Sequence, residues 1–99
     1  MADEKVTVVA RFKVKPGLEG KAKQALLDCL APTRSEAGCI NYDLHQSVDD
    51  ERSFMIHENW ASKQALEVHL QTPHLKALLQ RADELFSGPV DISLWRTIS

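Results

Sequence analysis

Positive charge is the first thing this chain has little of. Its 12 Lys and Arg are outnumbered by 14 Asp and Glu, for a net charge of −2. The basic residues are also scattered, so the positive stripe of a nucleic-acid binder is missing. Long apolar runs are missing too. None approaches the roughly 20 residues that span a bilayer, and the opening M-A-D-E-K-V has no apolar signal-peptide core. Neither nucleic acid nor membrane is expected as a partner, and the expected location is cytoplasmic. Cysteine is limited to Cys29 and Cys39, which form no C-x-x-C pair and are too few for a disulfide framework. Buried reduced thiols are expected. The glycines form no G-x-G-x-x-G, Walker loop or G-x-S-x-G, which removes support for nucleotide-fold and hydrolase functions. No H-E-x-x-H occurs. His69 and His74 stand five apart, a spacing that does not align two side chains on one helical face. No protein-ligated metal is expected.

What remains is a 99-residue chain, read as one domain over 1–99. A domain of this size buries only roughly 60–65% of its unfolded surface, so pairing with a second copy would add stability. Val6 to Val14 alternates as a strand, with Val6, Val8, Ala10, Phe12 and Val14 on one side and Thr7, Val9, Arg11 and Lys13 on the other. Pro16-Gly17 marks a turn. A helix is predicted from Leu18 to about Glu36, with Leu18, Ala22, Ala25, Leu26, Cys29 and Leu30 as its apolar stripe. Pro32 crowds the carbonyl of Asp28 and should kink or end that helix, and Gly38 is a natural stop. Cys39–Gln46 and Ser53–Trp60 read as two strands of a hairpin. Ile40, Tyr42 and Leu44 share one face of the first; Phe54, Ile56, Glu58 and Trp60 share one face of the second. Ser62 caps a helix predicted to reach Gln71, and Thr72-Pro73 restarts another. Leu75, Leu78, Leu79, Ala82, Leu85 and Phe86 form the stripe of that last helix, and Val90 to Ile98 is a final strand. The order β-α-β-β-α-α-β predicts a ferredoxin-like α+β sandwich. Its helices cover one face of the sheet. The other face, with residues such as Val9 and Met55, reads as too apolar to leave wet, and a sheet-to-sheet homodimer would cover it.

Chemistry concentrates between Glu58 and Lys76, E-N-W-A-S-K-Q-A-L-E-V-H-L-Q-T-P-H-L-K. If the Glu58 face of its strand looks toward the helices, then Tyr42, Glu58 and Trp60 line the space between sheet and helices. His69, one turn beyond Ala65 and Leu66, points into the same space. A carboxylate there must be paired or protonated. Two readings stay open. One is a Tyr42–Glu58–His69 hydrogen-bond network that merely closes the core. The other is a small apolar pocket with a general base, a task for which histidine is best matched near neutral pH. On the second reading His69, Glu58 and Tyr42 are the catalytic candidates. Trp60 (as an apolar wall), Phe54 and His74 (at the rim) are the substrate-binding candidates.

At these residues the chain resembles a known family. P-T-R-S-E-A-G-C-I-N-Y-D-L-H-Q, followed by F-M-I-H-E-N-W-A-S-K-Q-A-L-E-V-H-L-Q-T-P-H-L-K, is similar to the antibiotic biosynthesis monooxygenases, particularly the small quinol monooxygenase-like members. The resemblance implies a dimeric α/β barrel, two ferredoxin-like protomers packed sheet against sheet, with a pocket in each. It also implies oxidation of hydroquinones, anthrones or other electron-rich aromatics by molecular oxygen as co-substrate, with no metal, flavin or heme. Heme-degrading relatives carry an Asn, a Trp and a His where this chain has Ala10, His69 and Leu79, so heme breakdown is not expected.

The leading expectation is therefore a cofactor-independent monooxygenase acting on a small quinol-like or polycyclic aromatic, with His69 as base and Tyr42 and Glu58 as its hydrogen-bond partners. A second branch that resembles this chain isomerises a phosphorylated signalling metabolite and shares H-x-x-T-P-H (His69 to His74) and Gly88-Pro89. That alternative would need a phosphate grip, for which Arg11, Arg34 and Lys76 are candidates. A non-catalytic ligand-binding dimer is the third possibility.

Overall fold

The computed structural model describes residues 4–99; residues 1–3 of the expected domain lie outside the described residues. Four strands, β1 (Val6–Lys13), β2 (Cys39–Gln46), β3 (Ser53–Trp60) and β4 (Asp91–Trp95), form one sheet in the order β2-β3-β1-β4. Every pairing is antiparallel. Helices α1 (Glu19–Leu27), α2 (Leu30–Arg34), α3 (Lys63–His69), α4 (Pro73–Gln80) and α5 (Ala82–Leu85) fill the two crossovers. This is the expected ferredoxin-like α+β arrangement. No helix among the described residues is long and apolar enough to cross a membrane.

Strand parity places the core. Val8, Ala10, Phe12 and Val14 are buried, and so are Phe54, Ile56, Glu58 and Trp60, the whole alternate face of β3. They pack against Ala22, Ala25, Leu26 and Cys29 from the first helical stretch and Leu66, Leu75, Leu78 and Leu85 from the second. Cys29 is buried and Cys39 half-buried, both as free thiols.

Several elements differ from expectation for local reasons. The first helix breaks at Asp28–Cys29, four residues before Pro32, where the proline ring denies the Asp28 carbonyl its usual partner. The chain tightens there, with Cys29 N donating to the Leu26 carbonyl at 3.2 Å. Ile40 does not share the face of Tyr42: a register shift between Cys39 and Asn41 turns it outward, and it is exposed. The last helix splits at Arg81 into α4 and α5, and Phe86 leaves it to bridge Val14. β4 ends at Trp95, where its pairing with β1 stops at the Thr7–Trp95 pair, so the expected strand to Ile98 is cut short.

The outer face of the sheet is more polar than expected. Thr7 donates to Asn59, Asn59 donates to Asn41 at 2.7 Å, and Asn41 donates to Asp43 at 3.1 Å. Half-buried Val9 and Met55 and exposed Trp95 flank this ladder.

Gly38 controls how closely α3 approaches the sheet. Its φ is +86°, and a Cβ built there would lie 2.6 Å from the Cβ of Ala65. The Gly38 carbonyl also accepts from Ala61 N at 2.8 Å, just before α3. Gly38→Ala is expected to lower stability by about 1–3 kcal/mol, from strain at positive φ plus overpacking against α3. Urea unfolding checks this; an unchanged midpoint would mean that α3 does not depend on this contact.

Candidate active site

The helix-facing side of the sheet and helices α3 and α4 enclose a cavity of about 250 Å³. Val8, Ala10 and Phe12 form its floor from β1; Leu66, Leu75 and Leu78 form its roof. Ile92 and Leu94 from β4, with Leu70 and Leu79, lie around its mouth and are partly exposed. Lys63 and Glu67 also border it. The polar groups inside are Tyr42, Glu58 and His69, the three catalytic candidates.

His69 closes the last turn of α3. Ser62 caps that helix by accepting from Ala65 N, and Thr72 caps α4 by accepting from Leu75 N, so the chain on either side of His69 is fixed. The ring is buried at 2% exposure and packs against Trp60, with centroids 4.6 Å apart. Tyr42 meets it edge-on at 5.6 Å. Its Nδ1 lies 2.8 Å from Glu36 Oε2. The same oxygen lies 2.7 Å from His74 Nε2. Burial pushes the His69 pKa down and the Glu36 contacts oppose this, with a net lowering. A carboxylate accepts and does not donate, so Nδ1 carries the ring proton in this pairing. Nε2 is then the acceptor of the ring, and the ring itself lines the cavity.

Glu58 has a different partner from the expected one. Its Oε1 accepts from Trp60 Nε1 at 2.8 Å, while His69 turns to Glu36. The expected Tyr42–Glu58–His69 network is therefore not formed, because residues two apart on one strand face, Glu58 and Trp60, pair first. Burial pushes the Glu58 carboxyl up to about 7, against the Trp60 hydrogen bond, with the charge of Glu36 adding to the rise. The Tyr42 hydroxyl is raised by burial and then by the charge of Glu58, so it stays protonated.

The binding candidates fare differently. Trp60 is fully buried and stacks behind His69 rather than forming a cavity wall. Phe54 pairs with Phe12 at the far end of β3 and borders a separate open cleft with Arg11 and Lys13; Phe12 takes the place expected for it in the cavity. His74 does not rim the cavity. It borders a shallow groove with Ala25, Asp28 and Cys29 on the other side of Glu36. The five-residue spacing did not keep the two histidines apart, because the helix stops after His69 and restarts at Pro73. The phosphate candidates stay outside: Arg11, Arg34 and Lys76 do not line the cavity, and Arg34 pairs with Asp43 at 3.0 Å.

Glu36 is the residue of this cluster that sequence reasoning missed. It lies just past the C-terminal end of α2. A carboxylate is weakly disfavoured at the negative end of a helix, and no periodicity in the sequence links Glu36 to His69 or His74.

The sequence model of the antibiotic biosynthesis monooxygenase family matches residues 5–81. Rv0793 of Mycobacterium tuberculosis is 37% identical over 90 residues, covering 90% of this chain and 87% of that one. Its solved structure matches this fold with a TM-score of 0.91 over 97% of both chains. The Escherichia coli protein YgiN, named a probable quinol monooxygenase, is 39% identical over 85 residues, or 73% of this chain and 79% of that protein. The Synechocystis protein sll1783 is 30% identical over 96% of this chain, which spans 65% of that protein's length. With the family match running from β1 to the end of α4, the chain belongs to the antibiotic biosynthesis monooxygenase family.

Proposed function

We propose that this protein is a monooxygenase that oxidises a quinol-like or polycyclic electron-rich aromatic with molecular oxygen and without a metal, flavin or heme. The observation that carries this reading is the buried His69, held at Nδ1 by Glu36 and lining an apolar cavity, so that this reading assigns Nε2 to the substrate. An apolar cavity of ~150 Å³ accommodates benzene, so about 250 Å³ suits a two-ring aromatic. The likeness to YgiN supports the quinol class.

In this reading Nε2 takes the proton of a phenolic hydroxyl. The resulting anion passes one electron to oxygen, and the two radicals join as a ring carbon–oxygen bond. The peroxide takes the proton back from His69. The O–O bond then breaks as the ring C–H proton is lost with one oxygen as water. A hydroxyquinone remains, and the substrate has supplied all the electrons. Glu58 and Tyr42 hydrogen-bond the substrate oxygens, and the apolar walls keep bulk water from the anion. The reading also takes the molecule as a homodimer through the outer sheet face. Its two free cysteines suit the reducing cytoplasm.

Oxygen uptake with reduced one- and two-ring quinones is the direct test. His69→Ala is expected to lower the enzymatic rate about 100-fold or more, the scale of a general base. Uptake equal to autoxidation with every quinol would remove the monooxygenase reading; uptake unaffected by His69→Ala would remove His69 from it.

Glu58 generates a separate expectation. Its folded pKa is raised from 4.5 to about 7, so the fold favours the protonated carboxyl. That stability is fully present below pH 4.5 and is lost as pH rises through 7. Glu58→Gln, which keeps the acceptor for Trp60, should therefore leave stability near pH 4 little changed and raise it at pH 8 by roughly 3 kcal/mol at most. Denaturant midpoints across this range check the sign. A variant whose pH profile parallels the parent's would show that Glu58 is not the group responsible.

A further inference from the structure

Behind the cavity, three side chains with metal-binding atoms converge. Glu36 Oε2 lies 2.8 Å from His69 Nδ1 and 2.7 Å from His74 Nε2, and one ligand atom from each of the three residues lies within 4.8 Å of the others. They come from three places: the turn just past α2, the last turn of α3 and the first turn of α4. The group is largely shielded, with side-chain exposures of 11%, 3% and 20%. The second carboxylate oxygen, Glu36 Oε1, is buried and has no hydrogen-bond partner.

Two hydrogen bonds to one oxygen leave that second oxygen unexplained, since a buried acceptor without a partner is unfavourable. We propose that Glu36, His69 and His74 form a binding site for a divalent transition ion of the zinc class, and that the bound ion switches off proton transfer at His69. The second half rests on the monooxygenase reading above.

Two imidazoles and one carboxylate make a donor set suited to zinc, cobalt or nickel, whereas calcium and magnesium require oxygen ligands. At zinc bond lengths, donors of a tetrahedral site lie about 3.3 Å apart. The two nitrogen–oxygen separations of 2.8 and 2.7 Å open by about 0.5 Å to reach this, and the two imidazoles, whose ligand atoms lie within 4.8 Å, swing together onto the ion. The ion takes the place of the two N–H protons, and Glu36 Oε1 turns onto it as a further ligand. His74 borders a surface groove, so the ion has a route that does not pass through the substrate cavity.

The effect on His69 follows from its ring. An ion on Nδ1 leaves the single proton of the neutral ring on Nε2. The nitrogen that the monooxygenase reading assigns to the substrate then donates and can no longer accept a proton. The metal is thus an inhibitor of the base and takes no part in oxygen chemistry.

The test uses tag-free, chelator-treated protein titrated with zinc by calorimetry and with cobalt by visible absorption. The expected result is one ion per chain, with the strong visible bands of low-coordinate cobalt. Glu36→Gln and His74→Gln should each weaken binding by at least about tenfold. Zinc should suppress quinol-dependent oxygen uptake in the parent, and a chelator should restore it. Absence of stoichiometric binding overturns the site, as does binding that both variants retain, which would place the ion elsewhere. Full binding with undiminished uptake overturns the inhibitory role. Because calorimetry and cobalt spectra need no substrate, a failed monooxygenase reading is distinguishable from a failed metal site.

Discussion

One carboxylate oxygen fixes the geometry of this site. Glu36 Oε2 lies within hydrogen-bonding distance of His69 and His74 at once, tying the end of α2 to α3 and α4. Without it, His69 would be a buried ring with no defined tautomer. With it, Nδ1 carries the proton and Nε2 is an acceptor. The arrangement follows the logic of a carboxylate–histidine pair in acyl-transfer enzymes, in which the acid orients the ring. Here the acid is shared by two imidazoles.

The surrounding fold holds that contact in place. Gly38, two residues after Glu36, lets α3 come close to the sheet. Trp60 stacks on the other side of His69 and holds Glu58 through its indole N–H. The three polar groups of the cavity thus have separate anchors: Glu36 for His69, Trp60 for Glu58 and the sheet for Tyr42. Their environments also differ. Burial lowers the histidine and raises the carboxyl, so near neutral pH the site holds a neutral base beside an acid close to its titration point. The two shifts run toward each other, since one desolvating pocket disfavours both charged forms, and so leave a neutral histidine and a protonatable carboxyl together.

Most of the scaffold was legible in the sequence because its signals are local. Alternation defined β2 and β3 with their boundaries, and the capping residues Ser62 and Thr72 marked the starts of α3 and α4. Parity put Tyr42 and Glu58 on a shared face, the structure turns that face toward the helices, and His69 meets them there as its helical spacing implied. The partners of these groups were less legible. Glu36 and His69 are 33 residues apart, and no periodicity links them. The restart at Thr72-Pro73 was read, but the convergence it imposes on His69 and His74 is a three-dimensional consequence that spacing along one helix cannot express. Phe54 shows the opposite limit. Parity gave it the right face, but its position along β3 carries it beyond the cavity.

The central claim is the tautomer of His69, which nitrogen-15 NMR of the metal-free protein measures directly. Near neutral pH the account predicts a protonated, pyrrole-type Nδ1 and an unprotonated, pyridine-type Nε2 for His69. Glu36→Gln should remove that preference. A pyridine-type Nδ1 with a protonated Nε2, or a doubly protonated ring, would contradict it.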